Sequence, residues 1–180
     1  MNRESVELFR HINGCAGGDT EAIQAISPIL VELIPRLTDE FYDQLLSHPK
    51  TRKHIDGRLD ALKSTHSQWM TDLFTGPHDE AFFTRQELIG VVHVRVKIPP
   101  LFVSSSMSFL RHEIVHLLHI KAEMGDLTCE QFEAASSGIL RLLDLCQMLI
   151  DNAYEAERLR LLSEATGMKP ALIENLISLK

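Results

Sequence analysis

Apolar residues recur at spacings of three and four along most of the chain. From Ala22 the series runs through Ile23, Ile26, Ile29, Leu30, Leu33, Ile34, Leu37, Phe41 and Leu45. That rhythm places them on one face of an α-helix. Pro28 and Pro35 interrupt it and predict two or three helical pieces rather than one rod. Upstream, Arg3 to His11 reads as a short helix that Asn13-Gly14 and Gly17-Gly18 break. Asp19 is the expected N-cap of the next helix. Downstream, His48-Pro49 marks a stop, with a helical turn expected near Thr51 to Ile55. Leu59, Leu62, His66, Trp69, Met70 and Leu73 resume the rhythm until Gly76-Pro77. Phe82, Phe83, Leu88, Ile89 and Val92 predict a helix from about Asp79 to Val96. Pro99 and Pro100 fit the first turn of the next helix, where a missing amide proton costs nothing. That helix should end near Gly125. Asp126 or Thr128 caps a last long helix carrying Leu142, Leu145 and Leu149. It continues past Tyr154 as the charged segment Glu155 to Arg160, and Gly167 and Pro170 end it before an amphipathic tail, Ala171 to Leu179.

The fold class is therefore all-α. Composition agrees: 180 residues and 44% hydrophobic content suffice for one domain with a real core. Aromatic strand-formers are sparse. The formal net charge of −7 repels phosphate backbones, so nucleic acid is not an expected partner. Cys15, Cys129 and Cys146 are odd in number and widely spaced, which suits a reducing compartment. No apolar run approaches a membrane span, and the N-terminus lacks an apolar signal segment. The expected location is the cytoplasm.

Nine histidines carry the chemical interest. His112-Glu113-Ile114-Val115-His116 matches H-E-x-x-H, which on a helix puts two imidazoles on one face beside a carboxylate. A zinc-dependent hydrolase is thus one reading, weakened because the extended G-x-x-H continuation is missing. His93 sits among Ile89, Val91, Val92, Val94, Val96 and Ile98. An imidazole in so apolar a stretch is kept neutral by desolvation, the form that binds iron. Gly90, three residues earlier, would let a flat ligand approach the backbone. On composition alone, a core histidine bonded to a carbonyl is the plainer reading of His93.

The segment Ile89-Gly90-Val91-Val92-His93-Val94-Arg95-Val96-Lys97-Ile98-Pro99 resembles the proximal segment of globin-coupled sensors, bacterial haem domains that regulate signalling outputs. Glu40-Phe41-Tyr42-Asp43-Gln44-Leu45-Leu46 resembles their distal-side helix. Ala61-Leu62-Lys63-Ser64-Thr65-His66-Ser67-Gln68-Trp69 resembles the next distal helix. The resemblance implies a globin-like fold with an additional N-terminal helix, and haem b as cofactor. It makes His93 the iron ligand, Tyr42 a hydrogen-bond donor to bound O2, and Leu62 a distal residue that excludes water. Phe41 is expected to face the core. O2, or CO or NO, is the implied ligand. A homodimer through the last two long helices is implied too, with Leu142, Leu145 and Leu149 as candidates that would serve a monomer core equally well. Residues 1–160 read as the sensor domain and 161–180 as the start of a linker to a covalently attached output domain. Diguanylate cyclase is the favoured output and histidine kinase another. The chain itself carries no nucleotide-binding glycine loop and no kinase or cyclase signature. A haem-free helical interaction module is the third reading.

Overall fold

A computed structural model describes residues 3–15 and 17–178. Among them are nine helices and no strand: α1 (Arg3–Ile12), α2 (Asp19–Ala25), α3 (Ser27–Ser47), α4 (Pro49–Arg52), α5 (Leu59–Thr75), α6 (Glu80–Arg95), α7 (Pro100–Glu123), α8 (Cys129–Thr166) and α9 (Pro170–Ser178). Leu179, the expected end of the tail, lies outside the described residues.

Local chemistry sets most of the boundaries. Thr128 and Gln131 exchange side-chain-to-backbone hydrogen bonds at the start of α8, a capping box. Asp79 caps α6 by accepting from the Phe82 amide at 2.9 Å. Gly167, at φ 71°, ends α8 in the left-handed conformation. The end of α6 is less usual. Ile98 N–H donates to the His93 carbonyl at 2.9 Å and Lys97 N–H to that of Val94 at 3.0 Å. This is a Schellman closure, with Lys97 at φ 58° where glycine is usual.

Three expectations differ in detail. The stripe from Ala22 splits at Ile26, and α3 then runs unbroken with Pro35 inside it. The lost backbone bond is tolerated because Leu30, Leu33, Ile34 and Leu37 are buried on both sides of the proline. Asp19 does not cap α2. Its carboxylate instead takes a bidentate ion pair from Arg141 of α8, at 2.6 and 2.9 Å. The short turn forms four residues long at Pro49–Arg52, ahead of its expected position.

α8 is the spine, 38 residues and about 57 Å long at the α-helical rise. α1, α2, α6 and α7 all pack on it, while α3 packs on α5 and α7. α9 folds back against α8 with Ile173 buried. The tightest approach is between α6 and α8 at Gly90. A Cβ built there would stand 2.2 Å from the Ile150 carbonyl oxygen and 2.9 Å from the Tyr154 amide nitrogen. Gly90 thus faces α8, and its missing side chain admits a helix backbone rather than a flat ligand.

That contact predicts a stability effect. Gly90→Ala should cost about 1–3 kcal/mol by forcing α6 off α8, and Gly90→Val more. The readout is the urea midpoint, and an unmoved midpoint in Gly90→Ala would refute the close approach.

Candidate functional site

α6 divides its faces between two neighbours. Phe82, Phe83, Gln86 and Gly90 are buried. Ile89, Val92, His93 and Val96, one helical stripe away, line a cavity of about 470 Å³. Facing them, α3 contributes Phe41, Tyr42 and Leu45, and α5 contributes Leu62, His66 and Trp69. Leu62, His66 and Trp69 recur at four and three, so one stripe of α5 looks into the space. Trp69 Nε1–H donates to Gln86 Oε1 at 2.8 Å and bridges α5 to α6 at the cavity's edge. Met107, Leu110 and Ile150 add to the lining from α7 and α8. The volume falls within the range of cofactor and small-ligand pockets.

The three residues assigned from sequence, His93, Tyr42 and Leu62, come together around this one cavity. Phe41 belongs to the buried core, as expected, and lines the cavity as well. α3 and the preceding helix α5 supply the wall across from His93.

His93 is oriented by its own helix. Its Nδ1 lies 2.7 Å from the Ile89 carbonyl oxygen, and a carbonyl only accepts, so Nδ1 carries the proton. The other nitrogen, Nε2, then holds a lone pair and has no protein partner among the described residues. The carbonyl-bonded histidine and the ligand histidine are therefore compatible, each reading using one ring nitrogen. Burial lowers the His93 pKa below its ordinary value, against the opposing pull of the Ile89 hydrogen bond. The ring is neutral at pH 7, as a metal ligand must be.

Tyr42 is buried, and burial pushes its phenol up to about 12, so it keeps its proton. Its ring meets Phe41 edge-on at 5.2 Å and His66 at 5.8 Å. No acceptor for its hydroxyl occurs among the described residues.

His66 is the site residue that sequence reasoning passed over. It lies on the same stripe as Leu62, which was the available signal. Its Nδ1 is 3.0 Å from Thr38 Oγ1, and its ring stacks on Phe41 at 4.6 Å with planes 4° apart. Its Nε2 is buried and has no hydrogen-bond partner. Burial lowers its pKa to about 4.

The H-E-x-x-H residues lie elsewhere. His112, His116 and His119 sit on α7, away from the cavity lining. His112 Nδ1 lies 2.9 Å from Glu113 Oε1. Among the described residues, no group of three or more His, Cys, Asp or Glu side chains is placed to hold a metal ion. No described helix is long and apolar enough to cross a membrane.

Comparison with known proteins bears on the whole arrangement. The profile of the protoglobin family matches residues 6–160. Among solved structures, the globin domain of a Geobacter sulfurreducens globin-coupled sensor superposes with a TM-score of 0.73 at 24% identity, covering 82% of this chain and 96% of that one. The globin domain of E. coli DosC superposes in its ferric and ferrous forms with a TM-score of 0.69 at 16% identity, covering 82% of this chain and 97% of that one. The fold is thus all-α and globin-like with an extra N-terminal helix, as the resemblance implied.

The buried imidazole makes stability depend on pH. His66 titrates at about 4 when folded and near 6.5 when unfolded, so between those values the unfolded chain holds more protons. The protein should therefore lose stability as pH falls from about 6.5 to about 4. His66→Leu should flatten that part of the urea-midpoint profile. Parallel profiles for the two proteins would contradict a neutral, buried His66.

Proposed function

The chain belongs to the protoglobin family, and we propose on that footing that it is a haem-binding gas-sensor domain with His93 as the proximal iron ligand. The observation that carries the reading is His93 itself: Nδ1 is spent on the Ile89 carbonyl, and the ring lines an apolar cavity with Nε2 free. Apolar side chains on the same wall, Leu88, Val92 and Val96, are 58%, 43% and 39% exposed. A flat hydrophobic ring laid against α6 would cover them. The residues present therefore fit haem b.

A ferrous haem held by one imidazole supplies an open coordination position for a diatomic gas. The protein's residues decide what happens there. Tyr42 presents a protonated hydroxyl without a protein acceptor, so it can donate to a polar ligand such as O2 and much less to CO. In an apolar pocket that bond is stronger than in water. Leu62 keeps the distal side dry. O2 is accordingly the proposed ligand, with CO and NO as weaker candidates for discrimination by hydrogen bonding.

A sensor must also pass binding to the rest of the protein. α6 presses on α8 through Gly90, and two residues beyond His93 the Arg95 guanidinium meets Glu157 of α8 at 3.1 Å. Glu157 is buried, and hydrogen bonds from Arg160 and Arg95 hold its carboxyl down at about 2. A displacement of α6 would thus be felt on α8. A coupling of about 1–3 kcal/mol suffices for a graded switch. We take residues 1–160 as the sensor and 161–180 as the start of the linker to an output domain, with diguanylate cyclase as the favoured output. That boundary falls inside α8, which continues to Thr166, so the linker begins as rigid helix. Dimerisation through α7 and α8 would place the same helix at the subunit contact.

Absorption spectra of the purified, dithionite-reduced chain, with and without CO and O2, test the proposal. A Soret band that shifts with CO is expected, and its absence from haem-reconstituted protein would end the haem reading. His93→Ala should lose haem or its proximal-imidazole signature. Tyr42→Phe should raise the O2 dissociation rate roughly tenfold, the worth of one hydrogen bond, and change CO release less. An unaltered O2 rate would remove Tyr42 from its role.

A further inference from the structure

We propose that His112 and His116 form a two-imidazole chelate for a late first-row divalent cation on the solvent face of α7, with Cu2+ bound tightest. The site lies apart from the cavity and does not depend on haem.

Spacing comes first. Residues four apart on a helix lie about 40° apart round the axis, with Cβ atoms about 5–6 Å from each other. Both side chains are exposed, and their ring centroids stand 6.0 Å apart with 21° between the planes. Exposed side chains rotate freely, so a small turn of either ring lets both reach one ion. The backbone beneath them is held. Leu110, Ile114, Leu117 and Leu118 are buried and keep this stretch of α7 helical, so the pair is presented at a fixed spacing.

The carboxylate between them adds an independent sign. His112 Nδ1 lies 2.9 Å from Glu113 Oε1. A carboxylate that accepts from Nδ1–H fixes the tautomer, leaves the lone pair on Nε2 and makes that nitrogen a better ligand. In a hydrolase built on H-E-x-x-H, the same glutamate would be the general base, and the metal would need a third protein ligand. Glu113 is instead engaged with His112. His119 has other neighbours: its Nε2 is 3.5 Å from Glu123 Oε1, and its ring meets Phe132 at 5.8 Å. No third donor joins the pair among the described residues. The remaining coordination positions are left to water, a set that suits binding rather than hydrolysis.

The donors select the ion. Imidazole nitrogen suits Cu2+, Ni2+ and Zn2+, whereas Mg2+ and Ca2+ prefer oxygen. Affinity along that row peaks at Cu2+, whose tetragonal geometry accepts two neighbouring nitrogens with water in the other positions. Among the nine histidines, only His112, His116 and His119 stand within four residues of one another, so the helical spacing arises at this one place.

Titration of the tag-free full chain with copper(II) sulfate tests the site, read by calorimetry and by the electron paramagnetic resonance of Cu2+. One ion per chain is expected, with hyperfine structure from two nitrogens. His112→Ala and His116→Ala should each weaken binding by about tenfold or more, and Glu113→Ala by about tenfold with the two-nitrogen spectrum kept. His119→Ala, Cys129→Ser and His93→Ala should leave the affinity unchanged, which separates the chelate from the third imidazole, an exposed thiol and the cavity. As a second readout, zinc chloride should raise the urea midpoint of the wild type and not that of His116→Ala, because an ion spanning one turn binds the helical form. Equal Cu2+ affinity in the wild type and His116→Ala, an equal loss in His119→Ala, or one ion per two chains overturns the proposal. The haem reading is judged separately, by the Soret band, which His112→Ala and His116→Ala should leave unaltered.

Discussion

The contact of Gly90 with the backbone of α8 governs the geometry of the site. Because no side chain stands between them, α6 settles directly on Ile150 and Tyr154. One face of α6 is consumed by that packing, and the face a third of a turn away is left to look into the cavity. His93 belongs to the second face. The bidentate Arg141–Asp19 pair and the capping box at Thr128 secure α8 on the other side.

The cavity persists because its walls are braced at the edges rather than filled across the middle. α3 and α5 form one wall through their mutual packing, α6 and α8 the other, and Trp69–Gln86 ties the two. What lines the space is apolar apart from a few groups, and the decisive ones are uncharged at pH 7. Burial keeps His66 and His93 neutral and Tyr42 protonated. Two neutral imidazoles with Nδ1 engaged and one phenol without an acceptor make a pocket with no fixed charge among the three. Haem and a small neutral gas are proposed on the strength of a pocket of that character.

The helices were legible in the order of residues because their signals are local. The three-four rhythm marks the buried stripes, and His48-Pro49, Gly76-Pro77 and Pro99-Pro100 punctuate them where helices end or begin. Where a local rule misled, tertiary packing had overridden it. Pro35 stays inside α3 because apolar anchors hold the helix on either side, and Asp19 forgoes capping because Arg141 competes for its carboxylate. The site was partly legible. Tyr42, Leu62 and His93 stand out by resemblance and do border one cavity. Gly90 stands out too, but its neighbour is a helix backbone and not a ligand. His66 lies in the α5 segment that carries part of the resemblance, and only its place on the stripe of Leu62 marks it. Its importance comes from an empty nitrogen, which no spacing reveals.

The chain's own order of residues thus determined that it would be helical, where most helices begin and end, and that His93 would be kept neutral by an apolar stretch. Those properties follow from hydrogen bonds and desolvation acting over a turn or two of backbone. Which faces meet was decided only in three dimensions. That a glycine seats α6 on α8, that Phe41 stacks on His66, and that two histidines 27 residues apart border the same space depends on how the helices pack. Packing sums contacts across the whole fold, and no single segment contains that sum.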